Sequence, residues 1–312
     1  MAFDQILIFG AGRIGMVLGG FLAQAGKEVH LVGRETNVRA IQEEGIRITG
    51  LWGDHRVSNL TCFTQLPNDR KYDLIIIAVR SFQTREAVTA CLPAADENTI
   101  FLSTQNGYGN LETITELAGE HRSLGARVLF GVQSLEPGSV RVTVFGDSIR
   151  IGCRGNRILM ETVERLAKII KDSGVPTEAT DRIDHYLWEK ILYNCCLNPL
   201  GAILDVPYGA LAESEETREI MDKIVDEAFP VFRSLDLKLE WEKPEDFLET
   251  FYGKMVPPTA AHRSSMLQDL KQGRQTEIES LNGAISRLAG ENESSAPINE
   301  TVTRQIRFLE LR

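Results

Sequence analysis

The order of residues predicts an α/β fold, a Rossmann-type doubly wound sheet, followed by an all-α domain. Three observations carry this expectation. An apolar run at the N-terminus meets the glycine pattern Gly10-Ala11-Gly12-Arg13-Ile14-Gly15 and then a helical stretch. Strand-like and helical runs keep alternating as far as about residue 181. Beyond it the strand signals vanish and 3.6-residue periodicity dominates. At 312 residues the chain is long for one core, so two domains are expected, 1–181 and 182–312.

Each element has a local reason. Phe3–Phe9 is a short apolar strand, Met16–Ala25 a helix closed by Gly26, and Glu28–Val32 a second strand. A G-x-G-x-x-G is weak evidence alone, but inside a βαβ unit of ~30 residues it reads as a dinucleotide fingerprint. Gly10 permits the turn, Gly12 lets the backbone approach a pyrophosphate, and Gly15 lets helix and strand pack closely. The phosphates would rest on the amides opening the helix. NAD sites place a carboxylate at the end of the second strand, whereas here Leu31-Val32-Gly33-Arg34 brings an arginine. Arg34 suits a bidentate grip on a 2′-phosphate and so favours NADP(H), unless it only opens the next helix. Asp73–Val79 is the continuous apolar run of a strand covered on both faces, and Thr99–Ser103 is the next. Their C-terminal turns, Arg80-Ser81-Phe82-Gln83 and Thr104-Gln105-Asn106-Gly107, are polar. They lie on the sheet edge where such folds bind ligands. From Gly125 to Gly152 short alternating strands around Glu136-Pro137-Gly138 suggest an antiparallel extension, and Asn156–Ser173 an amphipathic helix.

The second half reads as helices at Ile183–Leu204, Glu213–Leu235, Pro244–Tyr252, Thr276–Ala289 and Glu300–Leu311, the last capped by Asn299. An active site between the two domains is expected. A net charge of −10 and the lack of any basic run exclude a nucleic-acid footprint. No apolar run is long enough to span a bilayer, and no secretory leader is read at the N-terminus. The five cysteines form no C-x-x-C pair, and the five histidines show no metal-ligand spacing. Buried free thiols in a reducing cytoplasm are therefore expected, with no metal. Long amphipathic helices point to a homodimer through the helical domain.

One stretch is unusual. In WEKILYNCCLNPLGAIL, Trp188–Leu204, the polar residues Lys190, Asn194 and Asn198 recur every four positions of an otherwise apolar helix. They fall on one slowly drifting stripe. Burying them is costly without partners. Hydride delivery to a ketone builds negative charge on its oxygen, and a lysine on such a stripe can supply a proton or a cation. Desolvation would lower its pKa and a nearby carboxylate would raise it, and the sequence does not decide between them. A snorkelling lysine, and an Asn198-Pro199 pair that merely breaks the helix, are the structural alternatives.

The motifs named so far are joined by Ser264-Ser265-Met266-x-Gln268-Asp269-x-x-x-Gly273-Arg274-x-Thr276-Glu277. Together, and in this order, they resemble the ketopantoate reductases (2-dehydropantoate 2-reductases) across essentially the whole chain. The resemblance implies NADPH-dependent reduction of 2-dehydropantoate to (R)-pantoate, towards pantothenate and coenzyme A. It places the catalytic lysine on Lys190 and a functional glutamate on Glu277, which would serve substrate, ribose or the lysine. Substrate ligands fall on Asn194, Asn198 and Ser265, with Asn106 where nicotinamide and substrate meet. Gly10, Ala11, Gly12, Arg13, Ile14, Gly15, Arg34, Arg80, Asn106 and Glu277 would hold the cofactor. Arg80 replaces a common family lysine and keeps the cation. Tyr208-Gly209 stands where many members have Asn-Gly, which leaves open a paralogue acting on another branched 2-oxo acid. A non-catalytic NADP(H) sensor would need the glycine loop but not the polar stripe. Asp269 and Arg274 read as a structural ion pair, Trp188 and Trp241 as core or interface residues.

Overall fold

The computed structural model describes residues 3–67 and 70–312. These group into two compact units, one running to Gln105 and resuming at Asn110–Ile183, the other made of Asn106–Gly109 and Asp184–Arg312. The first unit holds strands β1 (Gln5–Phe9), β2 (Glu28–Val32), β3 (Ile46–Gly50), β4 (His55–Val57) and β5 (Thr61–Phe63). It continues with β6 (Leu74–Ile77), β7 (Ile100–Ser103), β8 (Ser123–Ser134), β9 (Ser139–Gly152) and β10 (Thr177–Ala179). Helices α1 (Arg13–Gln24), α2 (Glu35–Glu44), α3 (Thr84–Cys91), α4 (Asn110–Ala118) and α5 (Met160–Asp172) connect them.

All ten strands form one sheet in the order β4-β3-β9-β8-β7-β6-β1-β2-β5, with β10 also paired to β9. The run from β5 to β8 is parallel throughout. β1 has β2 on one side and β6 on the other, so the chain reverses its direction of travel across the sheet there. That is the switch point where doubly wound sheets open a ligand crevice at the strands' carboxyl ends. The uninterrupted apolar strands follow from burial on both faces. Ile6, Ile8, Leu74, Ile76 and Leu102 enter one core with α1 and α5, whereas Leu7, Ile75, Ile77 and Phe101 enter another with α3 and α4. Alternate residues serve opposite cores, as the two-residue period requires.

One expectation changes here. The segment 125–152 is not a set of short strands but one long hairpin, β8 with β9, whose pairing slips at three points. β9 also pairs in parallel with β3, an element with no strong periodic signal in the sequence. The length of this hairpin is set by partners on both sides, which local alternation does not record.

The second unit is helical: α6 (Ile183–Ile203), α7 (Tyr208–Glu213), α8 (Glu215–Ser234), α9 (Pro244–Thr250), α10 (Ser265–Lys271), α11 (Asn282–Glu291) and α12 (Pro297–Glu310). The expected helix 213–235 is α8, starting at Glu215 because Ser214 separates it from α7, while Thr276–Glu277 precede a short 3₁₀ turn, Ile278–Ser280, instead of opening α11. α6 is buried on every side from Ile191 to Ala202. Pro199 lies inside it and has no N–H to offer the Cys195 carbonyl four residues back. Asn282 Nδ2 donates to that carbonyl at 3.2 Å and to Asn299 Oδ1 at 3.0 Å. Asn299 Nδ2 in turn donates to the Ile224 carbonyl and to the Glu227 carboxylate. Glu227 also accepts from the Ile298 and Asn299 amides at 2.8 and 2.9 Å. Asn299 is therefore not the N-cap of α12. Ala296 stands there, and a carboxylate from α8 satisfies the amides at the positive end of the helix.

This network yields a stability prediction. Asn299→Ala removes hydrogen-bond partners from Asn282, Ile224 and Glu227 in a buried setting, which costs about 2–4 kcal/mol. Urea unfolding followed by circular dichroism should show a lower midpoint at an unchanged slope. A midpoint equal to wild type would show the network to be dispensable.

Candidate active site

In the first unit, the glycine loop separates the needs of the fold from those of a ligand. Gly10 has φ +130°, and a Cβ there would lie 2.6 Å from the Ala78 carbonyl carbon. A Cβ on Gly15 would fall 1.9 Å from the Gly10 carbonyl oxygen. Packing alone forbids side chains at both positions. At Gly12 the same Cβ would meet nothing within 4 Å. The protein does not need glycine there, whereas close approach by a phosphate does. The Gly10 and Ala11 amides both donate to the Val32 carbonyl, and Asn37 Nδ2 donates to the Ala11 carbonyl at 2.6 Å. These bonds hold the loop over the start of α1, whose first-turn amides have no intrahelical acceptor.

Gly33 follows β2 because a Cβ there would overlap that of Ala11. Arg34 comes next, exposed, as the residue before α2, and its side chain makes no hydrogen bond or ion pair among the described residues. The two polar turns after β6 and β7 are tied together. Thr104 donates from N and Oγ1 to the Ile77 carbonyl. Gln105 Nε2 donates to the Val79 carbonyl and to Thr84 Oγ1, and Thr84 donates on to Asn110. Arg80, half-buried, begins the 3₁₀ turn Ser81–Gln83.

The second unit contains Asn106, Lys190, Asn194, Asn198, Ser265 and Glu277. Asn106 precedes Gly107, whose φ of +87° and close approach to Ser280 exclude a side chain. The Tyr108 amide donates to the Ser280 carbonyl at 2.8 Å, and the Tyr108 ring lies 5.4 Å from that of Trp188. Trp188, fully buried against Phe232 as well, is a core residue. Lys190 is half-buried one turn below Asn194. Asn194 and Asn198 are each only 7% exposed. Asn194 has no side-chain hydrogen bond among the described residues, and Asn198 has one, accepted by Oδ1 from the Tyr208 hydroxyl at 2.5 Å. Both side chains therefore keep bonding capacity that the described residues do not use, on atoms that are not fully enclosed.

Ser264, not Ser265, caps α10, its hydroxyl accepting from the Leu267 amide at 3.0 Å. Ser265 is the first residue of the helix, and its hydroxyl makes no bond among the described residues. Arg274 clamps Asp269, 1% exposed, through Nε at 3.0 Å and a second nitrogen at 2.6 Å, so this pair fixes the turn between α10 and Glu277. Glu277 is 9% exposed and leads the 3₁₀ turn. Burial raises the thiols of Cys195 and Cys196 well above the usual range and pushes the Tyr193 hydroxyl up to about 12, against a lowering bond with Thr259. It also raises Tyr208 and lowers His262. All five cysteines are buried and free. Asn282 was not singled out from sequence. Pro199 signals that the Cys195 carbonyl needs a donor, but not which residue supplies it.

Two family descriptions match the chain: ketopantoate reductase PanE/ApbA over residues 6–156, and its C-terminal counterpart over 182–310. The 2-dehydropantoate 2-reductase of Aquifex aeolicus is 39% identical over 308 residues, 98% of this chain and 97% of its own length. That of Pyrococcus horikoshii is 34% identical, over 95% and 94%. The crystal structure of a PanE/ApbA family ketopantoate reductase from Ralstonia eutropha superposes with a TM-score of 0.85 at 31% identity, covering 98% of both chains. D-mandelate dehydrogenase with NADH and anilino(oxo)acetate shares the fold, with a TM-score of 0.87 at 24% identity over 98% of this chain and 97% of its own.

The glycine geometry predicts a split between two conservative substitutions. Gly15→Ala should lower the thermal midpoint by several degrees or abolish folding, because its methyl meets backbone. Gly12→Ala should melt like wild type yet bind a dinucleotide about tenfold or more weakly. Fluorescence titration and thermal melts of the two variants check this, and equal behaviour of the pair would contradict it.

Proposed function

The chain belongs to the ketopantoate reductase family of oxidoreductases acting on CH–OH donors, and we propose that it reduces 2-dehydropantoate to (R)-pantoate with NADPH, a step towards pantothenate and coenzyme A. The observation that carries this reading is the pair of buried, under-bonded amides on an otherwise apolar helix. A fold keeps such groups at a cost, and a polar ligand removes that cost.

The residues suit the proposed cofactor. Gly10 to Gly15, with Ala11, Arg13 and Ile14 between them, would receive the pyrophosphate, since Gly12 leaves room where packing does not require it. Arg34, exposed and without an ion pair among the described residues, would take the 2′-phosphate. Arg80, Asn106 and Glu277 complete the nucleotide contacts in this proposal. When bound, NADPH supplies the hydride. Ser265 would hold the substrate carboxylate through its hydroxyl, while Asn194 and Asn198 would donate to the substrate's oxygens. Lys190 would deliver the proton to the ketone oxygen as negative charge develops there. Glu277 would orient the substrate or ribose hydroxyl, or tune the lysine. In this scheme residues 1–181 bind the nucleotide and residues 182–312 carry substrate and catalytic groups. We place the protein in the cytoplasm, as a homodimer through its helices. The five buried free thiols support a reducing compartment, and among the described residues no helix is long and apolar enough to cross a membrane. A second reading, a paralogue that reduces another branched 2-oxo acid, rests on Tyr208, which bonds Asn198.

Purified protein should oxidise NADPH faster than NADH, and faster with 2-dehydropantoate than with 2-oxoisovalerate or pyruvate. Turnover of none of these would overturn the proposal. Arg34→Ala should raise the KM for NADPH about tenfold and leave that for NADH nearly unchanged. In a stopped-flow assay Lys190→Ala should lower kcat by about 10²–10⁴ while NADPH still binds. Retained turnover would remove the lysine from the chemistry.

A further inference from the structure

Asn198 and Tyr208 face each other across the turn between α6 and α7. The turn is held open at Asp205, which takes a φ of +51° that a non-glycine residue rarely adopts. Arg263 and Lys271 both pair with its carboxylate, Lys271 at 2.8 Å, and Arg263 also donates to its carbonyl at 2.9 Å. Just beyond, the Tyr208 amide donates to the His262 carbonyl at 3.0 Å and the Gly209 amide to the Ala260 carbonyl at 2.8 Å. Glycine is needed at 209, since a Cβ would stand 2.9 Å from that of Ala260. The Tyr208 ring is buried between His262 at 5.2 Å and Tyr193 at 6.0 Å. Tyr193 is itself anchored to Thr259 at 2.6 Å. A phenol clamped through backbone on one side and aromatic packing on the other has little freedom, and its hydroxyl ends on Asn198 Oδ1.

A carboxamide carries one acceptor oxygen and one donor nitrogen. Its oxygen is engaged by Tyr208, and its nitrogen makes no hydrogen bond among the described residues. Rotating the amide by half a turn would set N–H groups against the phenol oxygen and leave the buried phenol O–H without an acceptor among the described residues. Burial favours the protonated phenol, so the donor role of Tyr208 persists across neutral pH.

Resting on the reading of Asn198 as a substrate ligand, we propose that Tyr208 is the positioning residue that fixes the Asn198 amide, so that Asn198 meets the substrate as a donor only and selects an acceptor oxygen of the 2-oxo acid. Tyr208 then acts through Asn198 and touches no reacting atom.

A double-mutant cycle tests this, with Tyr208→Phe, Asn198→Ala and the combined variant measured for KM, kcat, NADPH affinity and thermal midpoint. Tyr208→Phe alone should raise the KM for 2-dehydropantoate about tenfold, with kcat changed less than threefold and NADPH affinity unchanged. In the Asn198→Ala background the same change should alter KM less than twofold. A second variant, Asn198→Asp, keeps an acceptor for the phenol but turns an anionic group towards the substrate. It should keep the thermal midpoint and lose at least a hundredfold in kcat/KM. An equal KM penalty from Tyr208→Phe in both backgrounds, or no penalty at all, overturns the proposal while leaving the reductase reading intact. Wild-type protein that turns over no 2-oxo acid overturns the reading beneath it.

Discussion

Pro199 takes one hydrogen bond out of the middle of α6, and three other helices of the unit are tied together in replacing it. The Cys195 carbonyl lies where no water competes, so an orphaned acceptor there would be costly. Asn282 from α11 supplies the donor, Asn299 from α12 holds Asn282, and Glu227 from α8 holds Asn299. Four helices are thereby set by one connected set of bonds. α6 carries Lys190, Asn194 and Asn198, the residues to which the proposed chemistry is assigned. A helix buried on nearly all faces could rotate or slide in a purely apolar environment at modest cost. A directional bond to its backbone removes that freedom.

The polar groups of the protein divide by whether the fold satisfies them. Gln105, Thr84 and Asn110 close a circuit beneath the loops of β6 and β7, and Asp269 is matched by Arg274. These are structural devices that keep turns in place. Asn194, the nitrogen of Asn198, the Ser265 hydroxyl and the Arg34 guanidinium make no such bonds among the described residues. The first three lie in the helical unit and the last at the end of β2. The glycine loop makes the same division in backbone terms, since Gly10 and Gly15 answer to packing and Gly12 to nothing in the protein. Under the proposed function, this unused bonding capacity and this unused space are where substrate and nucleotide would bind.

Much of this was legible in the residues. The parallel strands announced themselves as unbroken apolar runs because two cores claim alternate side chains. The glycine spacing and the four-residue recurrence of Lys190, Asn194 and Asn198 were visible because short-range geometry dictates both. The segment Ile46–Phe63 was not legible as three strands, since β3 and β4 gain their stability from β9 and each other, far away in sequence. Asn299 was misread as a cap for a related reason. The group that satisfies the amides of α12 is Glu227, 72 residues earlier.

By itself the sequence determined the class of fold, the glycine loop, the arginine after β2 and the polar stripe on α6. Each is a local pattern whose consequences run along one element. Tertiary structure alone decided that Ser264 takes the cap beside Ser265, that Asn282 repairs the gap left by Pro199, and that Tyr208 meets Asn198. Hydrogen bonds are directional and short, so which distant groups share one depends on how helices pack, and no periodicity along the chain encodes that.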